Sequence, residues 1–124
     1  MQLTEHRNEQ QLFVRKVDAT SVAVIDRVFT TSLLLSASEA QPDFPARTVA
    51  QINASAIEKI LALKPEVVLL GTGTRATFPS QQVLGEFLKR GIGLETMDNA
   101  AAARTFNVLV GELRKAVAVF LLPG

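Results

Sequence analysis

The sequence predicts an α/β domain with a mixed β-sheet, antiparallel strands first and alternating helix and strand after. Two observations carry that reading. Apolar, β-branched runs fill residues 12–36 without a helical period, and the second half alternates amphipathic stretches with short continuous apolar runs. The order is β-β-β-α-β-α-β-α-β, which puts the parallel pairing late in the chain.

The elements follow in turn. Leu12–Val17 and Ser21–Ile25 are rich in β-branched residues and read as strands, with Asp26-Arg27 as a tight turn into Val28–Ser36. Residues 38–47 hold two prolines and read as a loop or an irregular edge segment. Ser55 and Glu58 match the S-x-x-E capping box, Ile57, Ile60 and Leu61 give a short apolar stripe, and Lys64-Pro65 ends that helix. Residues 66–70 (EVVLL) form an apolar run expected of a strand covered on both faces. Residues 71–79 (GTGTRATFP) are a loop. A helix follows over Ser80–Arg90, with Val83, Leu84, Phe87 and Leu88 facing inward and Gly91 closing it. Gly93–Met97 is a short strand, Asp98 or Asn99 caps a helix over Ala100–Glu112, and Ala116–Leu122 is a last buried strand.

Composition narrows the function. A chain of 124 residues fits one domain, here residues 12–122 behind a polar tail at 1–11. Its 48% hydrophobic and 20% charged content excludes intrinsic disorder. Net charge is +1 with no Trp or Tyr, so neither the basic excess nor the stacking platforms of a nucleic-acid binder are present. With no Cys and a single His, His6, in the tail, thiolate chemistry is excluded and metal or Ser-His-Asp chemistry is disfavoured; no cofactor is expected. The tail lacks an apolar signal core and the longest apolar run, at 116–123, is too short to cross a bilayer. A cytoplasmic protein without an integral membrane segment is expected, its oligomeric state open.

Two motifs stand out. Gly71-Thr72-Gly73-Thr74-Arg75-Ala76 fits G-x-G-x-x-A after an apolar strand, with Glu95 at the end of the next strand. Pro79 delays the helix, so a pyrophosphate would not meet its N-terminus, and three leading strands have no place in a Rossmann half. These facts weaken a nucleotide site without removing it, and the stronger readings are a plain turn or a glycine loop lining some other groove. In residues 97–112, Ala102, Phe106, Leu109 and Leu113 form a core stripe, and Arg104 lies about 200° around the helix from Phe106. Asn107 is one turn from Arg104. Arg104 paired with Asp98 or Glu112, and Asn107 bonded to a loop backbone, would make the pair structural. Crevices open beyond the carboxyl ends of sheet strands, so Thr72, Arg75, Asp98 and Arg104 are expected to converge there and favour an anion.

The segments VVLLGTG at 67–73, GIGLETMDNAAAARTFNVLVGE at 91–112 and AVAVFLL at 116–122 resemble a family of small α/β domains that includes mitochondrial complex I assembly factor 3 and uncharacterised bacterial proteins. The resemblance implies one three-layer domain distinct from Rossmann proteins, no established catalysis, and action through protein partners. It carries over Gly71, Thr72, Gly73, Met97, Asp98, Arg104, Thr105, Asn107 and the Glu112/Arg114 pair. Asn99, Ala103 and Phe106 stand where the family often has Thr, Cys and Tyr, so thiol or phenol chemistry is lost. Leu113 replaces a usual Gly, so the helix end must avoid positive φ or carry strain of about 1 kcal/mol. The expected function is a non-catalytic binding or assembly module with a groove lined by Gly71, Thr72, Gly73, Arg75, Met97, Asp98, Arg104, Thr105, Asn107 and Glu112. The alternative is an enzyme or sensor for a small anionic ligand in that groove; a third is that the motif only stabilises the fold.

Overall fold

Residues 11–124 are described by the computed structural model. The tail at 1–10, with His6, lies outside them. Strands β1 (Val14–Val17), β2 (Val22–Val24) and β3 (Arg27–Phe29) form an antiparallel meander. A second sheet holds β4 (Leu33–Leu35), β5 (Ala40–Gln41), β6 (Val67–Gly71), β7 (Gly93–Met97) and β8 (Ala116–Phe120) in the order β5-β4-β8-β6-β7. β4 is antiparallel to β5 and β8, while β6 is parallel to β7 and β8. A mixed sheet is present as expected, but five strands and not three precede the first α-helix, and the leading three form a sheet of their own.

The helices are α1 (Ala54–Leu61), α2 (Gln81–Leu88) and α3 (Asn99–Gly111). α2 links β6 to its neighbour β7, while α3 carries the chain from β7 back across β6 to β8. Two right-handed crossovers running in opposite directions along a sheet put their helices on opposite faces. The side-chain period of two then sorts the core. Leu33, Leu35, Leu69, Ala118 and Phe120 face α3 and the meander, and Leu34, Val68, Leu70, Val117 and Val119 face α1 and α2. All ten are buried, which is why these strands read as continuous apolar runs. The result is three layers: α1 with α2, the five-stranded sheet, and α3 beside the meander.

Several local expectations are corrected. The stretch 28–36 is two strands, because β3 belongs to the meander and β4 to the larger sheet. Where the ladder stops, hydroxyls take over: Ser32 Oγ accepts from Leu122 N at 2.9 Å and Thr31 Oγ1 accepts from Asp43 N at 3.0 Å. The segment 38–47 is the edge segment expected, contributing the two-residue edge strand β5. The turn before β3 is Ile25-Asp26, since Val24 pairs with Arg27. Ile25 holds φ +53, a conformation β-branched residues avoid. It is tied on both sides, its N–H donating to Phe13 O at 3.3 Å and its C=O accepting from Arg15 Nε at 2.7 Å.

The Ser55/Glu58 box is not used. Asn53 caps α1 two residues earlier, its side chain accepting from Ala56 N at 3.0 Å. Leu88 is 78% exposed, because the short helix α2 turns Phe87, with Val83 beside it, toward the core and Leu88 away from it. Leu113 is also exposed: α3 ends at Gly111, and Leu113 at φ +63 no longer follows the helical spacing.

Candidate functional site

The sequence places Gly71 at the end of β6 and Asp98 just after β7, and those strands are neighbours in register, Gly71 beside Met97. Their connections leave for opposite faces, which is the geometry that opens a crevice at the carboxyl end of an α/β sheet. The glycine loop and the start of α3 do meet there. They meet in direct contact. Thr72 N donates to Met97 O at 3.0 Å, and Asn99 N donates to Gly73 O at 2.8 Å.

The residue that closes the crevice is Asn99, which the sequence offered as a helix cap and as a departure from the family's usual Thr, not as a site residue. It is 3% exposed. Its Oδ1 accepts from Gly73 N at 3.1 Å and its Nδ2 donates to Leu121 O at 3.0 Å. One amide therefore joins the glycine loop, α3 and the segment after β8. Gly71 has to be glycine for the same reason: a Cβ there would collide with Asn99 Oδ1 and stand 3.0 Å from Val119 O. The cap itself is Asp98, whose side chain accepts from Ala101 N at 2.7 Å.

Thr72 folds the loop on itself. Its hydroxyl donates to Arg75 O at 2.6 Å and accepts from Thr77 N at 2.9 Å. The donors that would cradle an anion, the N–H groups of Thr72 and Gly73, are thus bonded within the protein. What the loop shows outward is Arg75, exposed, and Phe78, 74% exposed. Phe78 was not among the expected site residues. An aromatic beside Pro79 in a polar loop is the signal that would have found it.

The remaining candidates separate. Arg104 is exposed on α3 and forms no ion pair with Asp98, Glu112 or any other described residue. Asn107 points elsewhere: its Oδ1 accepts from Val14 N and its Nδ2 donates to Val14 O, both at 2.8 Å. It holds the meander to α3 and does not line the crevice, so the expected cluster of Arg104 with Asn107 is corrected. Thr105 bonds back to Ala101 O at 2.9 Å, and Met97 packs into the core on the α3 side. Glu112 is the exposed C-cap of α3. Arg114 pairs with Glu66 at 3.3 Å and not with Glu112, because the left-handed turn at Leu113 swings it toward the start of β6. Glu66 also accepts from Lys115 N at 2.8 Å. That bond, with the Arg114 guanidinium, holds its carboxyl below the usual range.

Two cavities of about 470 Å³ lie away from this crevice. One sits at the opposite end of the sheet, near Lys64, Leu113 and Lys115; the other lies between α1 and α2 over Ile52, Ile57 and Val83. The basic side chains of the first stand at the C-terminal ends of α1 and α3, where cations complement the helix dipoles. Among the described residues no group of three or more His, Asp or Glu stands close enough to hold a metal, and no helix is long and apolar enough to cross a membrane.

A family model described as a protein of unknown function (DUF498/DUF598) matches residues 14–121. A solved structure from Xanthomonas campestris is 40% identical, with a TM-score of 0.83 over 91% of this chain and 86% of that one. A Danio rerio protein, NADH dehydrogenase (ubiquinone) 1 alpha subcomplex assembly factor 3, is 39% identical over 74 residues, 58% of this chain and 42% of that protein. A 13 kDa major membrane protein of Francisella tularensis is 30% identical over 73 residues, 59% of each. The matched stretch thus spans less than two thirds of either of these two curated relatives.

Proposed function

The chain belongs to the family of proteins of unknown function DUF498/DUF598, and from its own geometry we propose that it is a non-catalytic module that binds a protein partner in assembly. The surface proposed for contact is the outward side of the glycine loop, Arg75 and Phe78, extending to Arg104 on α3. The observation that carries the reading is Asn99, whose amide occupies the crevice where a small anion would sit in an open α/β sheet. A surface left with an exposed aromatic and free guanidinium groups suits a protein contact, where such side chains carry much of the binding energy. The Danio rerio relative, named for assembly of a respiratory complex, supports the same reading.

The test compares partners recovered with the tagged protein from its own cells against Phe78→Ala and Arg75→Glu variants. One partner should be captured by the native protein and lost, at least tenfold, with both variants while their melting temperatures hold. Recovery unchanged by either variant would reject the surface. A thermal-shift panel of nucleotides, phosphates and carboxylates should show no shift; a ligand at 100 times its Kd would add about 2.7 kcal/mol.

A further inference from the structure

The five-stranded sheet has two edges, and only one is short. β5 contributes two residues, whereas β7 runs five residues without a bulge. Gly93 N donates to Glu66 O and Met97 O accepts from Thr72 N, so the odd residues of β7 face β6. By the alternation of a strand, the N–H and C=O groups of Leu94 and Thr96 point outward, and β7 has no strand on that side. β7 holds neither proline nor lysine, and Glu95 is its one charged side chain.

Gly93 adds a second, independent observation. Its φ is not positive, and a Cβ there would meet only Val67 Cγ2 at an ordinary 3.8 Å. Nothing within one molecule requires glycine at this position, and glycine weakens a strand. With no bulge in β7, such a glycine leaves room for a ligand or another backbone to approach closely.

We propose that β7 pairs antiparallel with β7 of a second copy of this chain, on a two-fold axis at Leu94. In that register the two Leu94 residues exchange both backbone hydrogen bonds and Thr96 N–H meets the partner copy's C=O at position 92. Glu95 lies opposite Gly93 of the other copy, where there is no side chain to clash with. Moving the axis to Glu95 would set the two carboxylates face to face, which is destabilising. The self-complementarity of Gly93, Leu94 and Glu95 is what favours a like strand over an unlike one. The sheet would then continue through ten strands, leaving the Arg75–Phe78 loop free, so the pairing stands independently of the proposed function.

Sedimentation equilibrium of the full chain should give twice the monomer mass at micromolar to millimolar concentration. Gly93→Glu sets carboxylate against carboxylate, and Thr96→Pro removes an outward N–H without touching the bond to β6. Each should weaken the dimer at least tenfold with an unchanged far-UV spectrum. The chain has no Cys, so a single introduced thiol reports alone. Leu94→Cys should cross-link on oxidation. Thr96→Cys should not, because the two copies' positions lie about 13 Å apart along the strands. A native protein that stays monomeric overturns the proposal and leaves the edge to a strand of different sequence. A dimer indifferent to Gly93→Glu, or a Thr96→Cys cross-link, overturns it as well.

Discussion

Asn99 satisfies two backbone groups, the half-buried Gly73 N–H and the buried Leu121 C=O. Asn99→Ala should therefore cost about 2–3 kcal/mol in urea denaturation. It should also expose the crevice, so the variant is the one in which a thermal shift with phosphate is worth measuring. Gly71→Ala should be destabilising by about 1–3 kcal/mol, because the methyl group meets Asn99 Oδ1 and the Val119 carbonyl, which the sheet holds in place. Leu113 illustrates the opposite case. Its N–H bonds to Val110 O and that of Arg114 to Leu109 O, both at 2.9 Å, which is the Schellman closure that normally ends on glycine. The side chain is 61% exposed and gives up little on removal. Leu113→Gly should stabilise the protein by about 0.5–1 kcal/mol, read as a raised denaturation midpoint. Arg104→Ala removes no ion pair seen here and should leave stability within about 0.5 kcal/mol. A larger loss would mean that this arginine serves the fold and not a partner.

The elements differ in how plainly the chain announces them. β6, α2, β7, α3 and β8 were legible because β6 and β8 are continuous apolar runs, α2 and α3 carry a helical period, and identifiable breaks such as Pro65, the 71–79 loop, Gly91 and Asp98 separate them. The meander was half legible. Its strands are three or four residues long, and the division between β3 and β4 depends on which sheet each joins, a long-range fact that local pattern does not contain. Asn107 shows the same limit. Its spacing places it beside Arg104 on α3, but its partner is Val14, 93 residues away. That pair is the polar link between the meander and α3. Asn107→Ala should speed amide hydrogen exchange in β1–β3 more than in β6 or β8, where amides open with the whole sheet. The candidate site was legible as a place and not as a shape. Topology brings the glycine loop and α3 together as expected, but that one buried amide fills the gap rests on side-chain geometry.

At the scale of the whole molecule, one sheet separates two apolar cores, and the charged groups lie outside both. Asp18, Glu66 and Glu86 all have carboxyls held below their ordinary range by hydrogen bonds. Such groups contribute stability above their unfolded pKa and lose it as pH falls through the folded value. Thermal stability should thus decline on the acid side of the ordinary carboxylate range. Glu66→Gln should lower the Tm near neutral pH, with the gap to the native protein closing as the solution becomes acid. A gap that stays constant with pH would show that the contact with Arg114 and Lys115 works through shape alone.

The central position of β8 bears on biogenesis. β4 and β6 lie on its two sides and do not touch each other, so the slot between them stays vacant until residues 116–120 arrive. On the ribosome, a nascent chain halted before that point holds two apolar half-cores with no strand to join them. Such intermediates attract chaperones and aggregate. Acquisition of protease resistance should therefore wait until residues 116–120 have emerged and then come in a single step.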